Sequence, residues 1–184
     1  MSKALNKSPV CSASLLALIV IIADQISKWW LITSVLSNDA QTGFFAWLIQ
    51  KGEQLRFPHI PLTDFFNLVM VWNKGISFGL FQKDSTIMPV ILSVLALGIT
   101  VGFLFWVRES TSRWMTLGTG LIIGGALGNV WDRVRFGAVA DFFDFYIGTY
   151  HWPAFNIADS AITIGVVLLL IHLLQEKPAA NVQS

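Results

Sequence analysis

Four long apolar stretches constrain this chain more than any other feature. A helix needs about 20 mainly apolar residues to cross the hydrocarbon core of a bilayer, and windows near that length occur at residues 15–36, 86–107, 114–134 and 157–174. With 54% hydrophobic and 12% charged residues, the chain is far more apolar than an average soluble domain. The sequence predicts an all-α membrane protein, a single domain over residues 1–184 with four transmembrane helices.

The first apolar stretch could instead be a cleavable signal peptide, because Lys3 and Lys7 precede it. However, Asp24 and Lys28 interrupt its apolar run, and no good A-x-A cleavage site follows. We therefore expect a retained helix. Cys11 has no apolar stretch before it, so we do not expect this cysteine to be lipidated.

Charge and ligand spacing exclude two classes of function. A formal net charge of +1 provides no basic field to hold nucleic acid. The single cysteine cannot form an internal disulfide, and the histidines His59, His151 and His172 show no metal-ligand spacing. We expect no nucleic acid partner and no metal site.

The positions of basic residues predict the orientation in the membrane. Short segments rich in Lys and Arg stay on the cytoplasmic side. Five basic residues flank helix ends that would share one side: Lys3, Lys7, Arg108, Arg113 and Lys177. Both termini are therefore predicted to be cytoplasmic, with a polar, disordered tail at residues 178–184.

The extracytoplasmic loop at residues 37–85 contains two candidate elements. Residues 65–72 are rich in aromatic and β-branched side chains and precede the turn signal Asn73-Lys74-Gly75, which predicts a small β element. Residues 43–50 carry Phe and Trp side chains typical of a loop or helix lying flat in the membrane interface.

Ionisable groups inside membrane helices are costly, so each requires a partner or a task. Asp24 and Lys28 lie four residues apart in the order that favours an ion pair on one helix face. An internal salt bridge or a side chain reaching the interface would explain both. We expect them to have a supporting structural role.

The third apolar stretch combines close packing with a polar end. Three glycines recur at four-residue spacing, a pattern that lets membrane helices approach closely: Gly120, Gly124 and Gly128. Asn129, Asp132 and Arg133 follow and predict a polar cluster at the outer end of this helix, although Arg133 alone could instead bind a lipid phosphate.

Three acidic residues lie near the start of the fourth predicted helix: Asp141 and Asp144 before it, and Asp159 at its beginning. Asp141 is surrounded by apolar and aromatic residues, which would desolvate it, raise its pKa and suit it to acid–base chemistry. We interpret Asp144 as a solvated interfacial acid. Asn156 and Asp159 resemble a capping box at the start of the fourth helix, and capping alone could explain both.

The predicted topology brings two of these acids together. A short cytoplasmic connection between the second and third helices leaves Asp141 and Asp159 on the same, outer side of the membrane. Two carboxyls that share a site cannot both ionise easily, so one would keep a proton while the other activates water, as in aspartic proteases.

Five ordered blocks together resemble the lipoprotein signal peptidase (signal peptidase II) family. They extend from the first helix to the fourth: Asp24-Gln25-Ile26-Ser27-Lys28, Trp72-Asn73-Lys74-Gly75, Asn129-Val130-Trp131-Asp132-Arg133, Gly137-Ala138-Val139-Ala140-Asp141-Phe142 and Phe155-Asn156-Ile157-Ala158-Asp159. Two departures are local. Gly75-Ile76-Ser77-Phe78-Gly79 lacks the two alanines of many members, and the loop at about residues 38–61 is longer than usual.

The resemblance implies a cofactor-free aspartic endopeptidase of the bacterial inner membrane, with its active site on the periplasmic face. It would cut the signal peptide from prolipoproteins just before a diacylglyceryl-modified cysteine, work as a monomer and be blocked by globomycin. The roles implied are catalytic for Asp141 and Asp159, orienting for Asn73, Asn129, Arg133 and Asn156, and supporting for Asp24, Lys28, Asp132 and Gly137.

Two other functions are open from the residues alone. Acids within membrane helices also serve transporters and proton-conducting proteins, but those tend to place the charges near mid-membrane and often show inverted repeats. A noncatalytic assembly factor could use the glycine pattern to bind a partner helix. That function would leave the positions of Asp141 and Asp159 unexplained.

Overall fold

The computed structural model describes residues 8–37, 42–75 and 87–175. Several predictions fall outside these ranges. They concern Lys3, Lys7 and Lys177 as orientation signals, residues 76–79 of the departing block, and the tail at residues 178–184.

Five α-helices and four β-strands make up the described part of the chain. In chain order they are α1 (Pro9–Trp30), α2 (Phe44–Ile49), β1 (Ile60–Thr63), β2 (Phe66–Asn73), α3 (Ile87–Val107), α4 (Arg113–Phe136), β3 (Val139–Ile147), β4 (Tyr150–His151) and α5 (Ile157–Gln175). A π-helical segment, Leu31–Leu36, continues α1 without a break. The long helices match the four predicted windows closely, except that α1 begins six residues earlier.

Local sequence signals fix where the long helices begin and end. Ser8 accepts a hydrogen bond from the Cys11 amide at the start of α1, and Ser112 does the same for the Met115 amide at the start of α4. Gly137 follows α4 in the left-handed conformation (φ 69°), which a residue with a Cβ rarely adopts. Gly137 therefore lets the chain leave α4 and enter β3 within two residues.

Helix α4 forms the centre of the bundle and packs against α1, α3 and α5. Its glycines make this possible. A Cβ on Gly124 would lie 2.7 Å from the Ala17 carbonyl oxygen, and one on Gly120 would lie 2.8 Å from that of Ala13. The glycine pattern predicted to allow close approach does so here, between α4 and α1.

Three helical stretches are long and apolar enough to cross a membrane: Pro9–Leu36, Ile87–Val107 and Ile157–Gln175. Their outward faces are covered with exposed apolar side chains, among them Val94 and Leu95 of α3. Exposed apolar surface of this extent is typical of contact with lipid. Helix α4 is less apolar and is buried among the other three along most of its length.

The four strands form one antiparallel sheet in the order β1-β2-β3-β4. The predicted β element is confirmed as β2, whereas no strand was predicted at β3 or β4. The description of the fold as all-α is therefore too narrow, because a four-stranded sheet accompanies the mostly helical fold. Strand β3 pairs with β2 so that Asp141 faces Val71 and Asp144 faces Asn67.

The segment before the sheet packs against the end of α4. Residues 43–50 contain the helix α2, as one of the two alternatives predicted. Trp47 of α2 is buried in a cluster with Ile32 and Phe136, and Met70 and Trp72 of β2 pack against it. Phe45 and Ile49 lie on the opposite side of α2 and are largely exposed.

Candidate active site

The two aspartates predicted to form a dyad come from different elements. Asp141 lies near the start of β3 and is buried, while Asp159 lies in the first turn of α5 and is half-buried. The charge of Asp159 acts on Asp141, and the two side chains are within hydrogen-bond reach of each other. The structure thus brings the two carboxyls together at the junction of the sheet and the helix bundle.

Two asparagine amides connect the carboxyls. Asn156 Nδ2 donates to Asp141 Oδ1 at 2.8 Å, and Asn129 Nδ2 donates to Asp159 Oδ1 at the same distance. The two amides are themselves linked, since Asn156 Nδ2 lies 3.2 Å from Asn129 Oδ1. These neutral donors hold the carboxyls in place without adding a positive charge.

The predicted capping box at the start of α5 is confirmed. The Asp159 amide donates to Asn156 Oδ1 at 2.9 Å, and the Asn156 amide donates to Asp159 Oδ2 at 3.3 Å. Asn156 and Asp159 thus cap α5 and also hydrogen-bond to Asp141 and Asn129. The cap fixes the orientation of both residues because each is held through backbone as well as side chain.

Asn73, at the end of β2, completes the surroundings of Asp141. Its Nδ2 donates to Asp141 Oδ2 at 3.0 Å, so each oxygen of this carboxyl accepts one amide hydrogen bond. Asn73 Oδ1 accepts from the Gly75 amide at 2.9 Å, which orients the side chain. Strand pairing between β2 and β3 places Asn73 in reach of Asp141.

Burial raises the pKa of Asp141 to about 7, and the charge of Asp159 and a hydrogen bond with it contribute in the same direction. The hydrogen bond from Asn73 and the charge of Lys28 act against this shift but do not cancel it. Asp141 therefore exchanges between its protonated and ionised forms near neutral pH, and the raised pKa agrees with the expectation for a desolvated acid.

A second polar cluster lies inside the bundle. Lys28 Nζ is 2.7 Å from Asp24 Oδ2 and 2.7 Å from Asp132 Oδ2, and all three side chains are fully buried. Gln25 Nε2 donates to the same two carboxylates at 3.1 and 3.0 Å. The predicted Asp24–Lys28 ion pair is confirmed, and Asp132 joins it.

This buried cluster also holds the backbone on which the dyad is built. Asp24 Oδ1 accepts from the Ala158 amide at 3.0 Å, next to Asp159. Asp132 Oδ2 accepts from the Ala140 amide at 3.1 Å, next to Asp141. The residue before each aspartate of the dyad thus donates its backbone amide to a carboxylate paired with Lys28.

Arg133 lies on the same side of α4 as Asn129. Its Nη1 donates to the Asn129 carbonyl oxygen at 3.4 Å, and its guanidinium lies within electrostatic reach of Asp159, Asp132 and Asp141. The Arg133 Nε is buried without a hydrogen-bond partner among the described residues. A half-buried donor group beside the two carboxyls is suited to holding a carbonyl or carboxylate oxygen.

A sequence profile of signal peptidase (SPase) II matches residues 16–175 of the chain. The chain belongs to the signal peptidase II family. It is 40% identical to the lipoprotein signal peptidase of Nitrobacter hamburgensis over 95% of this chain and 98% of that protein. It is 41% identical to the one of Burkholderia multivorans over 90% of this chain and 89% of that protein.

Two solved structures have a similar fold. A structure described as a bacterial membrane enzyme is 26% identical, with 94% of this chain and 93% of the other covered and a TM-score of 0.68. A second one is 27% identical, with 90% and 94% covered and the same TM-score. The helical bundle with its sheet is therefore shared with membrane enzymes.

In this signal peptidase II family member, Asp144 is not the solvated acid that the sequence suggested. It is only 7% exposed and accepts from Asn67 Nδ2 at 3.0 Å. His151 Nδ1 lies 2.9 Å from Asp144 Oδ1. Burial alone would raise the pKa of Asp144, but the hydrogen bonds from Asn67 and His151 outweigh it, and the pKa lies below its usual value.

Four further residues of this family member escaped the sequence analysis: Gln25, Asn67, Arg135 and His151. Gln25 follows Asp24 in the quoted motif, which was the one signal available. Asn67 and His151 meet Asp144 only through strand pairing that was not predicted. No group of three or more His, Cys, Asp or Glu side chains in residues 8–37, 42–75 and 87–175 is arranged to hold a metal ion.

Proposed function

We propose that this chain is an aspartic endopeptidase that removes signal peptides from prolipoproteins, with Asp141 and Asp159 as its catalytic residues. One observation carries the assignment of the residues: the side-chain amides of Asn129 and Asn156 join the two carboxyls, and neither carboxyl forms an ion pair among the described residues. Family membership and the lipoprotein signal peptidases that the chain resembles support the substrate class.

In the resting state Asp141 carries the proton and Asp159 is ionised. Burial and the raised pKa support Asp141 as the acid, and partial exposure supports Asp159 as the group that meets water. Asp159 takes a proton from water as the oxygen attacks the scissile carbonyl carbon. Asp141 gives its proton to the carbonyl oxygen, which forms a tetrahedral intermediate.

The intermediate then collapses with the reverse exchange of protons. Asp159 donates its proton to the leaving nitrogen, and Asp141 takes one from a hydroxyl as the carbonyl bond reforms. The peptide C–N bond breaks, and both carboxyls return to their starting states. Every proton moves between one of the two carboxyls and the water or the substrate, so the steps balance without a cofactor.

The other site residues have orienting and supporting roles. Asn73, Asn129 and Asn156 hold the carboxyls through the hydrogen bonds described above, and Arg133 offers its buried Nε to a substrate carbonyl. The supporting residues fix the backbone beside the dyad: Asp24, Lys28, Asp132 and Gly137.

The proposal includes the setting in the membrane. Helix α4 is the fourth span, enclosed by the three apolar ones, and α2 lies in the interface with Phe45 and Ile49 towards lipid. Arg108 and Arg113 at the α3–α4 connection support cytoplasmic termini and an active site on the periplasmic face of the inner membrane. The substrate is cut before a diacylglyceryl-modified cysteine, globomycin inhibits, and the protein acts as a monomer.

The test is cleavage of a diacylglyceryl-modified prolipoprotein by purified protein in detergent. We compare wild type with Asp141→Asn and Asp159→Asn, because asparagine keeps the shape and removes the titrating proton. Each variant should lose at least about 1,000-fold in kcat, since both proton transfers depend on the dyad. Asp64→Asn, which changes an exposed aspartate in the β1–β2 turn, is the matched control and should cut normally.

Folded state is checked by thermal unfolding and gel filtration of each variant. If wild type does not cut the lipidated substrate, the proposed function is wrong and ion flux in liposomes is measured instead. If either dyad variant cuts at the wild-type rate, the catalytic assignment is wrong even though the substrate is right.

A further inference from the structure

Arg135 is a buried cation that forms no ion pair with an acidic side chain among the described residues. It is the penultimate residue of α4 and only 5% exposed. The ion pairs found among the described residues involve Lys28 and His151, and none of them includes Arg135. Burying a charge is costly unless other groups compensate it. The contacts that compensate this one indicate what the residue does.

Backbone oxygens and aromatic rings surround the Arg135 guanidinium. Nε donates to the Gln50 carbonyl oxygen at 3.1 Å, and Nη2 donates to the Trp47 carbonyl oxygen. The guanidinium carbon lies 4.0 Å from the Trp47 ring centre and 4.5 Å from that of Phe136. Both carbonyls belong to the end of α2, where helix oxygens lack partners within the helix. Arg135 thus fastens the end of α2 to the end of α4.

The same contacts continue to the active site. Phe136 packs on Trp72 with ring centres 4.8 Å apart, and Trp72 Nε1 donates to the Leu55 carbonyl oxygen at 2.8 Å. Gln54 Nε2 donates to the Phe136 carbonyl oxygen at 2.7 Å. Trp72 is followed directly by Asn73, whose amide holds Asp141. The segment fastened by Arg135 therefore packs on the residue next to Asn73.

We propose that Arg135 is a positioning residue for the active site: it holds residues 44–55 against α4 and so fixes the end of β2 from which Asn73 reaches Asp141. The proposal rests on the proposed function, because its consequence is read as peptide cleavage. It assigns a task to the long segment before β1, for which the sequence suggested none.

The experiment compares Arg135→Gln and Arg135→Lys with Arg108→Gln as matched control. Arg108 also lies over an aromatic ring, 5.6 Å from the centre of Phe105, but it is exposed and at the end of α3. We measure kcat and KM for the lipidated substrate. Separately, we measure the rate of tryptic cleavage after Lys51 and Arg56, two exposed residues in and just beyond the held segment.

Arg135→Gln should lower kcat about 10- to 100-fold, because a displaced Asn73 leaves Asp141 misplaced. KM should change by less than about twofold, since no substrate contact is removed. Tryptic cleavage after Lys51 and Arg56 should accelerate several-fold. Arg135→Lys should restore part of both losses, because lysine keeps the charge but not the planar fork. Arg108→Gln should match wild type in every measurement.

Faster tryptic cleavage with an unchanged kcat would overturn the proposal, because the segment would then be fastened without any effect on the site. A lower kcat without faster tryptic cleavage would overturn it equally. If Arg135→Gln does not fold, Trp47→Leu is used, which removes the ring under the guanidinium and should give the same pair of effects. Failure of wild type to cut the substrate would refute the proposed function, and the tryptic comparison would still show whether Arg135 fastens the segment.

Discussion

Two pairs of aspartates in this molecule differ in what lies between their carboxyls. Asp24 and Asp132 share the Lys28 ammonium, which is 2.7 Å from each. Asp141 and Asp159 are joined through the side-chain amides of asparagines, and no ion pair to either is found in the described part of the chain. A central cation balances buried acids and lets them serve as fixed acceptors. Neutral amides leave the repulsion in place, so one acid keeps a proton.

The two pairs of aspartates therefore differ in role: the Asp24–Asp132 pair supports the structure, and the Asp141–Asp159 pair is suited to catalysis. The carboxylate oxygens of the pair around Lys28 accept hydrogen bonds from the backbone amides of Ala140 and Ala158 and from the side chain of Gln25. All its members are fully buried. The other pair combines one buried and one half-buried carboxyl, so that water can reach it. If this distinction is right, changes to the first pair should affect folding, and changes to the second should affect catalysis.

The largest effect on stability is expected for Lys28→Met. Removing the ammonium leaves two buried carboxylates facing each other, and breaking a buried ion pair costs about 3–5 kcal/mol. The variant should show a much lower Tm in detergent and a poor yield. Thermal unfolding followed by circular dichroism is the measurement.

Lys51→Met is the control, since Lys51 is exposed, and its Tm should be that of wild type. Asp141→Asn sharpens the comparison, because it replaces a buried titrating carboxyl with a neutral amide and should keep or raise the Tm while abolishing cleavage. A Tm for Lys28→Met equal to that of wild type would contradict the supporting role of the first pair.

The second prediction concerns the pH dependence of kcat/KM. Asp141 must carry a proton, and its pKa is raised to about 7. The protonated form is therefore complete well below that pH and is lost as the pH rises through it, so activity should fall about tenfold per pH unit beyond this point. At acid pH activity should fall again, because the activation of water needs one ionised carboxyl in the pair. The two limbs belong to the pair.

Initial rates at low substrate concentration, in one detergent and at constant ionic strength, give this profile. Asp64→Asn serves as control and should show the same curve. Activity that is flat or still rising well above neutral pH would contradict a protonated Asp141 as the acid.

The long helices were predictable because membrane spanning demands an unmistakable apolar run. Helix α4 was found from the same signal together with its glycines, whose spacing alone indicated close packing. The capping box at Asn156 and Asp159 was also visible, since capping is a local interaction between residues three apart. These features depend on neighbours in the sequence, and local patterns encode them.

The sheet was only half predictable. Strand β2 is followed by the turn signal Asn73-Lys74-Gly75, whereas β3 is an apolar and aromatic segment that Asp141 and Asp144 interrupt, without strict alternation. Missing β3 meant missing which residues face each other across the sheet, and so Asn67 was overlooked and Asp144 was misjudged. Arg135 was missed for a related reason: its partners are backbone oxygens of α2, which no side-chain motif reveals.

The third prediction compares two asparagines that make the same bond on the same pair of strands. Asn73→Ala removes the donor to Asp141 Oδ2 and should lower kcat about tenfold, the value of one hydrogen bond to an ionisable group. Because this hydrogen bond lowers the pKa of Asp141, the alkaline limb should also move to higher pH.

Asn67→Ala is the matched control for this change. Asn67 donates to Asp144, so its loss should leave kcat and the alkaline limb unchanged. An equally large shift of the alkaline limb in Asn67→Ala and Asn73→Ala would contradict this prediction. It would mean that the pairing of the two strands, and not the hydrogen bond to Asp141, determines the pKa of Asp141.

The smallest effect is expected for Asp144→Asn. This variant tests whether any carboxyl on β3 is needed for cleavage or only Asp141 with its particular surroundings. Asp144 lies three residues from Asp141, but Asn67 and His151 stabilise its charge and hold its pKa below the usual value. Cleavage should stay within about twofold of wild type. A carboxyl whose pKa is lower in the folded state than in the unfolded state stabilises the fold at pH values above its unfolded-state pKa. This stabilisation is lost as the pH falls through the folded-state pKa. The variant should therefore have a slightly lower Tm at neutral pH, and the difference should vanish in acid. Loss of cleavage in Asp144→Asn would show that the whole strand, and not one carboxyl on it, is needed for the reaction.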